Sequence, residues 1–154
     1  MTRDKVIDPA SLPIVETFHS LQGEGAHAGR SAFFIRLAGC TVGCAWCDTK
    51  HSWPEAAHPQ RPLQKVVSEA CQSANHGAAF VVLTGGEPLH HDLAPLTMAL
   101  REALPLPIHL VTSGIDSLTG DFGWITLSPK RHAPPRQEVL NVKLGSSYLR
   151  RRRT

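Results

Sequence analysis

Apolar residues along the 154-residue chain form strand-like and helix-like segments. Nearly continuous apolar runs predict four buried strands, at 31–38, 79–84, 108–111 and 124–127. At 139–144 apolar and polar residues alternate, which predicts a fifth strand with one exposed face. The chain is therefore expected to contain a sheet of at least five strands.

The two longest segments between these strands, 39–78 and 85–107, contain apolar residues at helical spacing. Apolar residues at i, i+3, i+4 and i+7 predict a helix with Pro62 in its first turn and Gly77 beyond its end. A second stripe of leucines predicts a helix that Asp92 caps and Pro105 ends. Strands that alternate with helices pair in parallel through crossover connections. The pattern predicts an α/β fold with parallel strands.

Unusual loops follow four of the predicted strands. They contain Cys40, the run Gly85–Pro88, the run Thr112–Gly114 and the run Ser128–Lys130. Because ligands of parallel sheets bind beyond the carboxyl ends of the strands, we expect these loops to meet at one site.

Charge and composition exclude several classes of function. The formal net charge of the chain is +3, and the four arginines at 150–153 contribute more than all of it, so the rest of the chain is close to neutral. No direct nucleic-acid partner is therefore expected. Residues 145–154 are predicted to be a solvated basic tail and residues 1–13 a loose leader. No membrane-length apolar run or secretory signal is present, so the chain is predicted to be cytoplasmic, with no membrane partner, and to form a single domain over 1–154.

Three of the four cysteines form a C-x₃-C-x₂-C pattern at Cys40, Cys44 and Cys47. Soft thiolates suit zinc, copper(I) or iron–sulfur clusters. His51 or His58 could complete a Cys₃His zinc site, while buried structural thiols and a disulfide are further alternatives. From the spacing of the cysteines and their position after a strand of the sheet, we favour an iron–sulfur cluster. Three cysteines would leave one iron of such a cluster open to a small molecule with an amine and a carboxylate, such as the methionine end of S-adenosylmethionine.

The cysteine pattern and the run Gly85-Gly86-Glu87-Pro88 resemble the signature of the radical S-adenosylmethionine (SAM) superfamily. A narrower resemblance, to the 7-carboxy-7-deazaguanine synthase family, extends in order over roughly 14–144. The segments that carry it are 16–25, 29–30, 47–49, 83–88 and 128–130. It implies a partial, incomplete (β/α) TIM-like barrel of the radical SAM type.

The resemblance also implies a reaction. A lyase of this family converts 6-carboxy-5,6,7,8-tetrahydropterin to 7-carboxy-7-deazaguanine with loss of ammonia, in the biosynthesis of queuosine and related 7-deazapurines. The implied cofactors are a [4Fe-4S] cluster, S-adenosylmethionine and Mg²⁺. The implied partners are the small-molecule pterin substrate, an electron donor such as flavodoxin and a second copy of the chain in a homodimer.

Carried over position by position, the resemblance implies three groups of site residues. Metal ligands would be Cys40, Cys44 and Cys47 for the cluster and Thr49 for magnesium. Contacts to S-adenosylmethionine would be Trp46, Cys47, Asp48, Gly86, Ser128, Pro129 and Lys130. Substrate contacts would be Leu21, Gln22, Gly23, Arg30 and Thr84, with Glu24 as a weaker candidate and Arg30 paired with the pterin carboxylate.

The chain departs from the family in two places. Val111 stands where the family pattern has a glutamate, and family chains continue well beyond a strand such as 139–144. We therefore expect a barrel shorter than that of the family. Two alternative functions remain: a glycyl-radical enzyme activase of the same superfamily, and a truncated, inactive cluster-binding module. Cys71 is expected in the core, and His90 and His91 are expected to be surface or loop residues.

Overall fold

The computed structural model describes residues 10–140 and the backbone of residues 150–151. The strands are β1 (Ser11–Leu21), β2 (Ser31–Leu37), β3 (Gln60–Pro62), β4 (Phe80–Gly85), β5 (Ile108–Thr112), β6 (Trp124–Leu127) and β7 (Arg150–Arg151). The helices are α1 (Leu63–Asn75), α2 (Ala94–Ala103) and α3 (Gln137–Leu140). Short 3₁₀ helices lie at Gly25–His27, Lys50–Ser52, Glu55–Ala57 and Pro88–His90.

The strands form one open sheet in the order β3-β1-β2-β4-β5-β6-β7. The four neighbouring pairs β2–β4, β4–β5, β5–β6 and β6–β7 are all parallel. This arrangement confirms the predicted α/β partial barrel. It also confirms the four buried strands and both long helices. In α2 the Asp92 carboxylate accepts the Ala94 N–H, 3.0 Å away, as expected for a residue at the start of a helix.

The hydrophobic pattern does not predict the first strand. β1 begins at Ser11 inside the predicted leader, and it pairs antiparallel with β2 on one side and β3 on the other. β1 and β3 thus add an antiparallel edge, which the sequence pattern does not predict, to the predicted parallel strands. Only the first half of β1 is buried, through Leu12 and Ile14. Its second half carries polar, partly exposed residues that lack a strand-like apolar run.

The end of the described chain also differs from the expectation. Residues 137–140 form α3, so the strand predicted at 139–144 is wrong at Val139 and Leu140, and 141–144 lie outside the described residues. Val139 is buried, and it packs close to Gly114, so its apolar character reflects helix packing. The backbone of Arg150–Arg151 pairs with β6, whereas these residues were expected in a solvated tail.

The two faces of the sheet have different partners. α1 and α2 cover one face with a large apolar core that includes Ile35, Leu83 and Leu110. A smaller apolar cluster on the opposite face contains Phe34, Phe80 and other β2 and β4 side chains. That second face is the inner face of the partial barrel. None of the described helices is both long and apolar enough to pass through a bilayer.

Candidate functional site

A cavity of about 690 Å³ opens at the carboxyl ends of the parallel strands. The end of β1 and the loops after β2, β4, β5 and β6 all contribute to it. The structure thus brings together the loops that the sequence placed on one rim. Of the predicted site residues, the cavity is lined by Leu21, Gln22, Gly23, Cys40, Cys44, Trp46, Cys47, Asp48, Thr49, Thr84, Gly86, Ser128 and Lys130, and by the weaker candidate Glu24.

All three clustered cysteines face this cavity as free thiols. Burial raises the pKa of Cys40, and the charges of Glu87, Cys44 and Cys47 raise it further, against a lowering by a backbone hydrogen bond from Val42. Burial also raises the pKa of Cys47. Hydrogen bonds from Thr49 and Trp53 lower that pKa by more than burial raises it, so the pKa of Cys47 lies below its ordinary value. A bound cation would favour all three thiolates.

The donor set fits a cluster of several iron atoms better than a single ion. Within residues 10–140, no three His, Cys, Asp or Glu side chains are close enough to hold one metal ion. A cluster takes one thiolate per iron, so its ligands need not converge on one point. His51 and His58, the histidines of the zinc alternative, do not line the cavity, and His58 Nε2 lies 2.7 Å from the His51 carbonyl.

Two glycines allow the loop after β4 to approach the cysteine loop. A Cβ at Gly86 would lie 2.4 Å from the Gly39 carbonyl oxygen and 3.0 Å from the Cys40 Cβ. A Cβ at Gly85 would lie 2.3 Å from the Leu37 carbonyl oxygen. Contacts below 3.0 Å are not tolerated, so only glycine fits at either position. The two glycines therefore let the backbone at the end of β4 pack directly against the end of β2 and the loop that contains Cys40.

Glu87 connects the loop after β4 with the loop after β5. Its side chain is 1% exposed and accepts hydrogen bonds from the Ser113 N–H (2.9 Å), the Ser113 hydroxyl (2.6 Å), the Leu89 N–H (3.1 Å) and the Thr112 hydroxyl. A buried carboxylate is stable only when its oxygens are satisfied in this way. Glu87 therefore fixes the relative position of two loops that line the cavity.

The side of the cavity away from the cysteines is built by β1, β2 and β4. Gln22 is buried just after the end of β1. Its side-chain oxygen, Oε1, accepts a hydrogen bond from the Glu24 backbone N–H at 3.3 Å. Arg36 and Thr84 are register partners on β2 and β4, and both reach the cavity. The Arg36 guanidinium is held by Glu16 at 3.0 Å and by the Gly85 carbonyl at 3.5 Å.

Two predicted residues do not line the cavity: Arg30 and Pro129. Arg30 contacts His27 at 2.6 Å and lies 5.0 Å from the centre of the Phe80 ring, near the opposite end of the inner face. The structure therefore does not bring Arg30 to the predicted anion site. Pro129 is part of the backbone between two lining residues.

Five lining residues belong neither to the predicted site residues nor to the loop runs expected at this site: Phe18, Phe34, Arg36, Val42 and Trp53. Gly85, Thr112 and Ser113 lie in the loops expected at this site, and Val111 is the position where the family pattern has a glutamate. The sequence does contain a signal for Arg36, which is a lone cation inside a predicted buried strand. Because Arg36 lies two positions after Phe34, the two side chains point to the same face of the sheet. Phe18 was not detectable, because its strand was missed. His90 and His91, expected as surface or loop residues, lie in the loop after β4, where they are half-buried and contact the segment around Cys40.

Comparisons with known proteins identify the family of this chain. The model of the Radical SAM superfamily matches residues 34–120. The chain is 55% identical over 137 residues to the 7-carboxy-7-deazaguanine synthase of Prochlorococcus marinus, covering 85% of this chain and 61% of that protein. It is 54% identical over 129 residues to the synthase of Synechocystis sp., covering 84% of this chain and 60% of that protein.

Two further similarities involve Escherichia coli. The chain is 40% identical over 150 residues to the synthase of strain K12, covering 86% of this chain and 67% of that protein. The crystal structure of QueE from Escherichia coli matches with a TM-score of 0.71 and 34% identity, over 84% of this chain and 66% of that one.

The chain thus spans about 60% of the length of the two cyanobacterial relatives. The matched range of the family model includes all three clustered cysteines and the glycine pair, and the identity to the relatives extends over most of this chain. Membership of the superfamily implies a [4Fe-4S] cluster and S-adenosylmethionine. The chain belongs to the radical SAM superfamily and, within it, to the 7-carboxy-7-deazaguanine synthase family.

Proposed function

We propose that this chain carries the active site of a radical SAM lyase that converts 6-carboxy-5,6,7,8-tetrahydropterin to 7-carboxy-7-deazaguanine with loss of ammonia. The product is the one for which the relatives are named. The pathway would be the biosynthesis of queuosine and other 7-deazapurines. The alternative of a glycyl-radical enzyme activase has no structural observation in its favour.

One observation carries the proposal: a single cavity is lined both by the three thiols and by groups suited to a carboxylated pterin. When bound, the cluster and S-adenosylmethionine would supply the radical that removes a hydrogen atom from the substrate. Cys40, Cys44 and Cys47 would hold the cluster. The backbone at Gly86 and the side chains of Trp46, Asp48, Ser128 and Lys130 would contact S-adenosylmethionine, with Pro129 shaping that loop.

The substrate would lie between β1 and β2. Gln22 offers both a donor and an acceptor to the pterin edge, and Leu21, Gly23 and Thr84 line the same region. We assign the carboxylate to Arg36, in place of Arg30, because the Arg36 guanidinium reaches the cavity and Glu16 orients it through Nε, at 3.0 Å. A guanidinium held in one position can bind a carboxylate through two parallel hydrogen bonds.

Magnesium would bind at Thr49. Its hydroxyl lines the cavity 3.6 Å from the Cys47 sulfur, and Asp48 is adjacent. Mg²⁺ takes oxygen ligands and keeps several waters, so one hydroxyl and the substrate carboxylate form a reasonable part of its shell. The metal would hold the carboxylate and stabilise negative charge as the ring contracts.

Partners and compartment follow from the same proposal. An electron donor such as flavodoxin would reduce the cluster, and a homodimer would cover strand edges of the open sheet. We place the protein in the cytoplasm, where adjacent free thiols remain reduced. The near-neutral body of the chain supports no direct nucleic-acid role.

The test is an anaerobic assay of the reconstituted chain. Dithionite, S-adenosylmethionine, Mg²⁺ and 6-carboxy-5,6,7,8-tetrahydropterin are supplied, and 7-carboxy-7-deazaguanine is measured by mass spectrometry together with bound iron. We expect product from the wild-type chain and none from Cys44→Ala. The matched control is Cys71→Ala, because Cys71 packs on α1 against the core and away from the cavity. A chain with a full cluster that forms no product would contradict the proposal and favour the inactive cluster-binding module.

A further inference from the structure

Three imidazoles hold the backbone of the segment 38–42, which leads into the cysteine loop and contains Cys40. His91 Nε2 lies 2.6 Å from the Ala38 carbonyl oxygen. His90 Nε2 lies 3.1 Å from the Thr41 backbone nitrogen and 3.2 Å from its hydroxyl. His132 Nε2 lies 2.8 Å from the Val42 carbonyl oxygen. The histidines come from two loops, after β4 and after β6.

The partners determine which ring nitrogens carry protons. A backbone N–H only donates, so His90 Nε2 must accept from Thr41, and the proton of this neutral ring lies on Nδ1. His90 Nδ1 then donates to the Asp116 carboxylate, with which it forms a short contact. Backbone carbonyls only accept, so His91 and His132 donate through Nε2. A chain of hydrogen bonds therefore runs from Thr41 through His90 to Asp116.

This chain connects three of the loops around the cavity. Thr41 follows β2, His90 follows β4 and Asp116 follows β5. Two further bonds reach the same segment from outside: Gly39 N–H donates to the Ser52 carbonyl at 2.7 Å, and Cys40 N–H donates to the Trp53 carbonyl at 3.3 Å. Each residue from 38 to 42 therefore has at least one hydrogen bond to another part of the protein.

We propose that His90, oriented by Asp116, is a positioning residue for the iron–sulfur cluster: it fixes the backbone between Cys40 and Cys44 in the conformation that receives the cluster. His91 and His132 hold the two ends of the same segment. Groups behind the metal ligands commonly control affinity by fixing ligand orientation. The proposal rests on cluster binding by the three cysteines, and it is independent of the pterin substrate and of the lyase reaction.

The test compares two substitutions at one position. His90→Leu removes the acceptor of the Thr41 N–H, whereas the side-chain oxygen of His90→Gln can replace it. In the cluster-free chain we measure hydrogen exchange of the Thr41 amide by NMR. In the reconstituted chain we measure the rate at which a chelator removes iron. For His90→Leu we expect both rates to rise by about tenfold or more, with rates close to wild type for His90→Gln.

Controls separate positioning from general destabilisation. His76→Leu removes another imidazole that contacts a carbonyl, that of Gln72 at 2.7 Å, on α1 and away from the cavity, and both rates should stay at the wild-type value. Thermal unfolding of the cluster-free chain is measured for every variant, and His90→Gln, which loses the same imidazole, shows how much of any change in stability is unrelated to the Thr41 hydrogen bond. Asp116→Asn keeps an acceptor for His90 without its charge, so we expect a smaller rise. In the double variant His90→Leu/Asp116→Asn, the rise should not exceed that of His90→Leu alone.

Unchanged exchange of the Thr41 amide and unchanged loss of iron in His90→Leu would overturn the proposal. An equal rise in His90→Leu and His90→Gln would also overturn it, since the hydrogen-bond acceptor would then be irrelevant. If the wild-type chain assembles no cluster, the cluster assignment itself fails, and exchange of the Thr41 amide still decides whether His90 holds the segment. If the cluster assembles without product formation, only the proposed lyase fails.

Discussion

The two ends of the inner face of the sheet are built from the same strands and differ in almost every property. At the carboxyl end, Arg36, Thr84 and the cysteine loop surround an open cavity. At the other end, rings fill the space: Phe80 stacks on His109 at 4.2 Å, and His27 lies 4.7 Å from both His109 and Trp124. The loops at the carboxyl end of the strands hold the residues of the candidate site, whereas packed aromatic rings fill the amino end.

Each end has its own arginine, and the pair shows why residue type alone does not assign a role. Arg36 reaches the cavity and is held by a carboxylate. Arg30 lies against Phe80 and His27, where it acts on the electrostatics of the closed end: burial and the Arg30 charge both lower the pKa of His27. The predictions below separate the two ends, beginning with the largest effect.

Removal of the Glu87 carboxylate should damage the open end most. Glu87→Leu leaves the Thr112 and Ser113 hydroxyls and two backbone N–H groups without their acceptor, and each buried unpaired group costs about 1–3 kcal/mol. We expect a loss of about 4 kcal/mol or more in the free energy of unfolding, measured by urea denaturation. A loss below that of the Phe80 variant described next would show that water or neighbouring groups replace the carboxylate.

Truncation of Phe80 tests the closed end. Phe80 has no exposed surface, and Phe80→Ala should lower the free energy of unfolding by about 3–5 kcal/mol. Phe18→Ala at the open end is the matched control, since Phe18 stacks on Phe34 at 5.0 Å but is only half-buried. We expect Phe18→Ala to cost less than Phe80→Ala. Equal costs would mean that both ends are packed alike.

The closed end should also make stability depend on pH. Burial, His27 and Arg30 lower the pKa of His109 to about 4, from 6.5. A lowered histidine pKa leaves stability intact above pH 6.5, where the ring is neutral in both states. As the pH falls from 6.5 towards 4, the unfolded chain takes up the proton first, so stability is lost.

The expected loss reaches about 3 kcal/mol, at 1.36 kcal/mol per pKa unit. Urea denaturation at a series of pH values measures it, and His109→Phe should flatten the dependence between pH 6.5 and 4. An equally steep dependence in His109→Phe would assign it to other groups.

The two arginines give the smallest and most specific contrast. Arg36→Gln removes a charge from the proposed substrate site, and we expect kcat/KM for the pterin to fall by about 10- to 150-fold, the value of a charge-assisted hydrogen bond of 1.5–3 kcal/mol. Arg30→Gln should change kcat/KM little, because Arg30 does not line the cavity. A larger loss of kcat/KM in Arg30→Gln than in Arg36→Gln would indicate that Arg30 binds the substrate carboxylate.

Local sequence by itself determined most of the scaffold and the location of the site. Continuous apolar runs specified β2, β4, β5 and β6, because strands buried on both faces have no polar side. Helical spacing specified α1 and α2. The order of these elements put the cysteines and glycines on one rim, because parallel strands share one carboxyl edge.

Only the tertiary structure decided the rest. β1 has few apolar residues in its second half, and its pairing depends on hydrogen bonds to β2 and β3, which no local pattern encodes. The alternating residues at 139–140 became helical because Val139 packs close to Gly114. The roles of His90, Arg30 and Arg36 depend on neighbours 26 to 50 positions away, at Asp116, Phe80 and Gly85. Side-chain chemistry can be read from the sequence, whereas the partner that directs it is set by the fold.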